Sequence, residues 1–165
     1  MRLVAPLRYA GTGGALVRRF KLDADPAAGQ WLARAMALTW APFHLGPWRR
    51  AMLVAVPLHP KRAAERGFDQ AEWLARAVGR RLGLAVATGV LARVRPTLPQ
   101  GDPRVRSRQA NVEGAFRVVR GKHIAGRRVV LVDDVFTSGA TMRTCAGLLR
   151  AAGACEVAAL TACRS

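Results

Sequence analysis

The sequence predicts an α/β fold with a mostly parallel sheet and helices on both of its faces. From Met52 onward, short apolar runs rich in β-branched residues alternate with amphipathic helical segments, an order that produces parallel strands. Residues 129–132 are consecutively apolar, which is typical of a central strand buried on both faces. At 165 residues the chain has room for one such core and a small appendage.

The first 50 residues are predicted to be a helical region that precedes the core. A loop carrying Gly11, Gly13 and Gly14 leads into a short helix at residues 15–21 and a second helix at residues 26–38. Asp25 suits the N-cap of the second helix, and Pro26 suits its first position. We therefore divide the chain into an N-terminal region, 1–50, and a core domain, 51–165.

The first half of the core is predicted from turn residues and from periodicity. Pro57 ends an apolar run, whereas Leu74, Val78 and Leu82 repeat at a four-residue interval and are followed by Gly83, as in an amphipathic helix. The predicted elements are a strand at 52–56, a basic loop at 58–67, a helix at 69–82, and short strands at 84–87 and 90–94.

The second half of the core begins with a long segment that has no regular period. Residues 95–113 carry three prolines and several arginines, and long loops in compact domains are usually functional. The elements predicted after it are a strand at 115–119, the central strand at 129–132, a helix at 141–152 that ends before Gly153, and a strand at 157–162.

The chain is strongly basic. Its formal charge is +17, and only three of its 27 basic residues are lysine. Such a charge attracts polyanions, and arginine adds bidentate phosphate geometry, although GC-rich coding would give the same composition on a solvated surface. Clustering is more informative, because the segment from Arg93 to Arg128 holds ten basic and two acidic residues.

Several classes of protein are disfavoured. Arginines interrupt every apolar stretch before it reaches the roughly 20 residues of a membrane span, and the segment before Arg8 is a poor secretory signal. The three cysteines lack C-x-x-C spacing, which argues against a disulfide framework and a self-contained zinc site. We therefore expect a cytoplasmic protein without zinc.

Residues 129–141 carry the clearest chemistry. A buried strand ends in Asp133 and Asp134, and a turn of hydroxyl residues with Gly139 then leads into a helix. In open α/β sheets ligands bind at this place, and backbone N–H groups at a helix N-terminus hold phosphate. The carboxylates suit two ribose hydroxyls, directly or through Mg²⁺.

Three other interpretations of this segment are weaker. A nucleotide triphosphatase would need a G-x-x-x-x-G-K-[ST] loop, which the chain lacks. A phospho-acceptor receiver domain would carry its acidic pair on an earlier strand. A simple helix cap beside solvated acids does not require two carboxylates, three hydroxyls and a glycine together.

The segment V-V-L-V-D-D-V-F-T-S-G-A-T at 129–141 resembles the phosphoribosyl pyrophosphate motif of type I phosphoribosyltransferases. The segment V-P-L-H-P-K-R-A-A-E-R-G-F-D-Q-A at 56–71 resembles the V-P-L-H…R-G-F-N-Q-A signature of the competence-associated ComF family. R-P-T-L-P-Q at 95–100 and R-Q-A-N-V-E-G-A-F at 108–116 resemble that family's central loop. Two departures are the missing N-terminal C-x-x-C motifs and Asp69, which stands where the family has Asn.

The resemblance implies the type I phosphoribosyltransferase fold, with residues 1–50 as a hood over the acceptor side. It implies binding of 5-phosphoribosyl-1-pyrophosphate with Mg²⁺ on Asp133 and Asp134, and a catalytic part for these two residues and Arg66. Further ligand contacts are implied for Lys61, Arg62, Arg66, Thr137, Ser138, Gly139, Ala140 and Thr141. A mobile loop over the ligand would include Gln100, Arg104, Arg106, Arg108 and Asn111.

Three functions fit these observations. The first is transfer of a phosphoribosyl group to an acceptor that the sequence does not identify. The second is a competence factor that binds single-stranded DNA and works with other competence proteins, as the basic charge and the ComF resemblance suggest. The third is a regulator that senses the pyrophosphate compound without turnover.

Overall fold

A computed structural model describes residues 1–96, 107, 110 and 112–165, except for the side chain of His44. Its strands are β1 (Leu3–Val4), β2 (Leu7–Arg8), β3 (Met52–Ala55), β4 (Ala85–Val86), β5 (Leu91–Arg93), β6 (Phe116–Val118), β7 (Arg128–Phe136) and β8 (Glu156–Arg164). Its helices are α1 (Thr12–Leu22), α2 (Pro26–His44), α3 (Pro60–Arg66), α4 (Gln70–Leu82) and α5 (Ala140–Ala151), with a 3₁₀ turn at Gly121–His123.

The main sheet has six strands and all of its described pairings are parallel. Its order is β1, β8, β7, β3, β4, and β2 also pairs with β8. Strands β5 and β6 form a separate antiparallel pair. Because the strands are parallel, the carboxyl ends of β2, β8, β7 and β3 lie along one edge of the sheet.

Two apolar clusters cover the two faces of this sheet, which confirms the predicted fold class. Val130 and Val132 of β7 pack in a cluster with residues of α1, α2 and α4. Val129 and Leu131 pack in a second cluster with residues of α5, β5 and β6. Asp133 and Asp134 follow directly at the carboxyl end of this strand.

The N-terminal region packs directly on the sheet. Val17, Phe20, Leu32 and Trp40 belong to the same cluster as Leu53 of β3. The Phe20 ring packs against Phe68 and Trp73, with centroid distances of 5.3 and 5.1 Å. Residues 1–50 therefore share a core with α4 and the central strands.

The basic loop predicted at 58–67 was wrong in its central part, because a seven-residue helix, α3, occupies it. His59 caps the helix, since its Nδ1 accepts a hydrogen bond from the backbone N–H of Lys61 at 3.3 Å. Pro60 starts the helix, and Gly67 ends it with a φ of +80°. Pro60 and Gly67 are helix start and stop signals that the sequence contains, but the segment between them was interpreted as a loop because it is rich in basic residues.

Other elements differ from prediction mainly in length. Helix α1 begins at Thr12 and thus includes Gly13 and Gly14, and α2 continues beyond residue 38 to His44. Strand β7 has nine residues because its pairing with β8 extends to Phe136. The two-residue strands β1 and β2 were not predicted. Within the described residues, no helix is both long and apolar enough for a membrane span.

Candidate functional site

A cleft of about 360 Å³ opens at the carboxyl edge of the sheet. The ends of β3 and β7, the start of α4, and residues of the N-terminal region and β5 form its walls. Its described lining comprises Tyr9, Lys21, Val56, Pro57, Leu58, Arg62, Arg66, Asp69, Gln70, Ala71, Arg93, Val112, Asp133, Asp134, Val135, Thr137 and Thr141.

Asp133 and Asp134, here called the acid pair, lie at the floor of the cleft. The backbone N–H of Asp134 donates to Oδ1 of Asp133 at 2.9 Å. On the opposite face, Nζ of Lys21 lies 2.5 Å from Oδ2 of Asp134, whose side chain is only 8% exposed. One oxygen of each carboxylate is therefore engaged within the protein, and both residues line the cleft.

The surroundings of Asp133 disfavour its charged form. Burial raises the pKa of Asp133 well above its ordinary value, and the neighbouring carboxylate of Asp134 raises it further. Burial by itself lowers the pKa of Lys21, but Asp134 and Asp133 outweigh that effect, so this pKa lies above its ordinary value. Lys21 therefore stays charged beside the acid pair.

Residues 137–141, here called the hydroxyl turn, connect β7 to α5. Thr137 and Thr141 line the cleft; residues 137–139 form the bend, and Ala140 is the first residue of α5. Ser138 Oγ accepts a hydrogen bond from the N–H of Ala140 at 3.4 Å. The turn thus places hydroxyl groups and the N-terminus of a twelve-residue helix beside the acid pair.

Gly139 is required by local geometry. Its φ is +75°, and a Cβ there would lie 2.5 Å from Cζ of Phe136 and 2.9 Å from Nη1 of Arg143. A side chain at this position would therefore first meet Phe136.

Two of the three cations predicted after β3 line the cleft. Arg66 is oriented by Gln70, because its Nη1 donates to Oε1 of Gln70 at 2.6 Å. Arg62 also lines an adjoining depression of about 290 Å³ together with Lys61, His59, Glu65, Arg93 and Pro96. Lys61 is therefore beside the cleft and not among the residues that line it.

The departure at Asp69 has a structural explanation. Its Oδ2 accepts the N–H of Leu58 at 2.8 Å, and its Oδ1 accepts the N–H of Glu72 at 3.0 Å. Asp69 thus caps α4 and fixes the loop after β3 with the same carboxylate. Its charge is engaged by two backbone donors, which reduces its repulsion of an anion in the cleft.

Lys21, Tyr9 and Arg93 also line the cleft, although no sequence motif assigned them to the site. The guanidinium carbon of Arg93 lies 5.3 Å from the centroid of the Phe116 ring. Burial lowers the pKa of Arg93, and the nearby Arg62 lowers it further. The three residues come from distant parts of the chain, so no local pattern predicted that they would meet.

Gln100, Arg104, Arg106, Arg108 and Asn111, predicted to belong to a loop over the ligand, lie outside the described residues. The two ends of that segment are joined, since Nη2 of Arg95 donates to the carbonyl of Glu113 at 2.6 Å. The loop's contact with a ligand stays a prediction.

The described residues include no group of three or more His, Cys, Asp or Glu side chains placed to hold a metal ion. The cysteines are free thiols, with Cys145 and Cys163 buried. Burial raises the pKa of Cys163 to about 11 and also raises that of Cys145. Both are protonated at neutral pH and unsuited to nucleophilic chemistry.

Comparison with known proteins identifies the family. The model of the phosphoribosyl transferase domain matches residues 75–165, more than half of the chain. The chain is 31% identical to the DNA utilization protein YhgH of Escherichia coli (strain K12), over 99% of this chain and 72% of that protein. It is 34% identical to Competence protein F of Haemophilus influenzae, over 64% of this chain and 46% of that protein.

A solved structure supports the fold. Glutamine phosphoribosylpyrophosphate amidotransferase from B. subtilis aligns with a TM-score of 0.51 at 24% identity, over 79% of this chain and 25% of that chain. The present chain spans about half the length of several curated relatives that it matches, the Haemophilus protein among them. It belongs to the phosphoribosyl transferase domain family, and within that family to the ComF proteins.

Proposed function

We propose that the cleft binds 5-phosphoribosyl-1-pyrophosphate and that the protein transfers the phosphoribosyl group to an acceptor. The observation that carries this proposal is the meeting of three groups in one cleft. The acid pair, the hydroxyl turn and Arg66 are separate in sequence, yet all contribute to its lining. Each group matches one part of the ligand.

The hydroxyl turn suits the 5-phosphate. A phosphate there would accept hydrogen bonds from Thr137, Ser138 and Thr141 and from backbone N–H groups of Gly139 and Ala140 at the start of α5. The remaining oxygens of Asp133 and Asp134 would accept the two ribose hydroxyls. This arrangement places the sugar across the end of β7.

The cations after β3 suit the pyrophosphate. Arg62 forms no side-chain hydrogen bond or ion pair with the described residues, so its guanidinium is available to an anion. Arg66, held by Gln70, would neutralise the charge that develops on pyrophosphate as the bond to C1 breaks. We give Lys61 a secondary part at the entrance, from the adjoining depression.

Asp133 and Asp134 would supply only some of the ligands that Mg²⁺ needs. Both carboxylates line the cleft with one oxygen already engaged, and Mg²⁺ commonly takes one or two carboxylates together with waters and substrate phosphates. When bound, Mg²⁺ would neutralise charge on the pyrophosphate. The chain's own contribution is to orient the ribose through Asp133 and Asp134 and to keep Lys21 charged beside them.

The N-terminal region and the loop between β5 and β6 also have roles in this proposed function. Residues 1–50 would cover the acceptor side, since Tyr9 and Lys21 already reach the cleft. The loop containing Gln100, Arg104, Arg106, Arg108 and Asn111 would close over the ligand and exclude water.

Binding of single-stranded DNA is a second candidate function. The +17 charge exceeds the needs of one phosphosugar site. The relatives' names, "DNA utilization" and "Competence protein", place those proteins in DNA-related processes, and a similar context here would bring partners among competence proteins. A sensor of the pyrophosphate compound without turnover would use the same cleft.

Release of pyrophosphate separates these possibilities. The protein is incubated with 5-phosphoribosyl-1-pyrophosphate, Mg²⁺ and a panel of nitrogen bases, and pyrophosphate is followed with an enzyme-coupled assay. A transferase releases pyrophosphate only with some bases and loses this activity in Arg66→Gln. Binding without release under every condition would leave the sensor and reject the transferase.

A further inference from the structure

Helix α2 carries a row of apolar side chains on the side that faces solvent, here called the α2 stripe. Trp31, Leu38 and the C-cap residue Leu45 follow at seven-residue intervals and are 50%, 65% and 86% exposed. Seven residues are close to two helical turns, so these side chains form one row about 21 Å long. The other side of α2 is buried in the core through residues such as Leu32 and Trp40. A helix that is apolar on both sides is normally covered on both sides.

The α2 stripe is unusual in a chain so rich in arginine. Within α2, Arg34 is the only residue among Lys, Arg, Asp and Glu. The solvent sides of the other long helices carry exposed arginines, namely Arg18 and Arg19 in α1, Arg76 and Arg80 in α4, and Arg143 and Arg150 in α5. A coding bias toward arginine would affect all four helices alike. Contact with another apolar surface explains why α2 differs.

Polar groups beside the α2 stripe already have partners within the chain. Oγ1 of Thr39 donates to the carbonyl of Ala35 at 2.9 Å, and Oε1 of Gln30 accepts from Nη2 of Arg81 at 2.6 Å. These contacts would persist if the stripe were covered, so covering it would not strand either group. The long side chain of Arg34 can extend to the rim and keep its charge in water.

The α2 stripe is complementary to a second copy of itself. When two α2 helices pack antiparallel around a twofold axis at Leu38, residue 31 of each copy faces residue 45 of the other, and residue 35 faces residue 41. Trp31 then packs on Leu45. Ala35 and Ala41 are small and flank Leu38, which leaves room for the leucine of the second copy. Every contact occurs twice, as in an isologous interface.

The distribution of charge also favours this contact between copies. Each chain carries a formal charge of +17, so two copies repel one another over most approaches. In the antiparallel arrangement Arg34 faces Pro42 of the second copy. The two Arg34 positions are then about 12 Å apart along the helix axis, beyond the screening length of about 10 Å in 0.1 M salt. Two copies can therefore meet on the α2 stripe with little direct repulsion.

We propose that the outer side of α2 is a homodimer interface with Leu38 at its twofold axis. None of the three stripe residues is among the described residues that line the cleft, so the interface and the cleft are separate. The proposal therefore goes beyond the proposed transferase function and does not depend on it. One pair of helices buries less than the roughly 800 Å² per partner of a standard interface, so we expect dissociation in the micromolar range.

Sedimentation velocity of the full chain, from below one micromolar to several hundred micromolar, tests the proposal. We expect the wild type to change from the mass of one chain to the mass of two as its concentration rises. Leu38→Arg and Leu38→Glu each bring like charges together at the twofold axis, and each should weaken dimerisation at least tenfold. The control is Val119→Arg, which changes an exposed apolar residue at the end of β6 and should dimerise as the wild type does.

An equal mixture of Leu38→Arg and Leu38→Glu tests the twofold axis itself. Opposite charges meet at residue 38 in the mixed dimer, so the mixture should dimerise at concentrations where neither variant does so alone. Higher salt should strengthen the wild-type dimer, because it screens the repulsion between two basic chains. Circular dichroism and thermal unfolding check that each variant is folded.

A wild type that stays monomeric over the whole range would overturn the proposal and leave a different protein as the partner of the α2 stripe. Undiminished dimerisation of both Leu38 variants, or a mixture that stays monomeric, would overturn the assigned axis. Titration of 5-phosphoribosyl-1-pyrophosphate with Mg²⁺ into Leu38→Arg reports on the cleft separately, and we expect the wild-type affinity there.

Discussion

Lys21 and Asp134 form an ion pair across the floor of the cleft, with Nζ 2.5 Å from Oδ2. The pair joins the last turn of α1 to the carboxyl end of β7. It therefore fixes the N-terminal region on the acid pair and neutralises part of its charge. A local sequence pattern cannot report this contact.

Replacement of Lys21 tests that role. Lys21→Met leaves the buried carboxylate of Asp134 without its counter-ion, and we expect the free energy of unfolding to fall by roughly 1–3 kcal/mol. Urea unfolding at pH 7 measures it. Lys122→Met, which removes an exposed lysine, is the matched control. Equally small decreases in the free energy of unfolding of the two variants would show that the ion pair between Lys21 and Asp134 does not stabilise the fold.

The raised pKa of Asp133 predicts that the stability of the protein depends on pH. Its pKa is raised in the folded protein by burial and by Asp134, so ionisation costs folding free energy. This cost is absent below the unfolded pKa of about 3.9, grows as pH rises from there to the raised folded pKa, and is constant above it. Lys21 opposes the cost without cancelling it.

Asp133→Asn should therefore be more stable than the wild type at neutral pH, with the difference shrinking as pH falls toward about 4. The amide oxygen can still accept the N–H of Asp134, so the backbone contact is retained. Urea titrations between these pH values measure the difference. A variant that is less stable at neutral pH would contradict the burial of a charged Asp133.

Alanine substitutions at Gly139 and at Gly147 are expected to change the stability of the protein in opposite directions. Gly139→Ala places a Cβ at positive φ and against Phe136, and should cost about 1–2 kcal/mol of stability and weaken binding of the pyrophosphate compound. Gly147 lies in α5 with nothing near its Cβ position, so Gly147→Ala should stabilise by about 0.5–1 kcal/mol. Thermal unfolding and calorimetry measure both variants. Equal changes in stability and in binding for the two variants would show that the positive φ of Gly139 and its contact with Phe136 have no particular importance.

Single-stranded DNA binding is tested through its salt dependence. Affinity should fall with salt with a log–log slope of about −0.7 for each phosphate contact, and Arg104→Ala/Arg106→Ala/Arg108→Ala should flatten that slope. Asp133→Asn/Asp134→Asn should bind DNA at least as well as the wild type, because negative charge is removed. Fluorescence anisotropy with a labelled oligonucleotide measures these affinities. If the wild type does not bind DNA at low salt, its many basic residues are solvated surface charges without a role in DNA binding.

Local patterns predicted the core of the fold because they depend on periodicity and turn chemistry. The apolar run at 129–132, the helix before Gly83 and the turn at Gly139 each carry their signal within a few residues. Helix α3 was missed because its short length leaves caps as its main signal. Strands β1 and β2 depend on pairing with β8, a contact made at the far end of the chain.

The same distinction applies to the candidate site. Asp133, Asp134, Thr137 and Thr141 lie within one motif and line the same cleft, and their contact with a ligand stays a prediction. Lys21, Tyr9 and Arg93 reach it only because α1, β2 and β5 pack around the central strands. The sequence placed Lys61 with Arg62 and Arg66, but the turn of α3 separates it from the cleft lining.

The most direct test of the central claim is calorimetric titration of 5-phosphoribosyl-1-pyrophosphate with Mg²⁺ into the wild type and Asp133→Asn/Asp134→Asn. Asp23→Asn/Glu156→Gln is the control, since it removes the same charge from exposed positions. Loss of two charged contacts at about 1.5–3 kcal/mol each should weaken binding at least a hundredfold in the acid-pair variant and leave the control unchanged. Wild-type affinity in the acid-pair variant would contradict the assignment of this cleft.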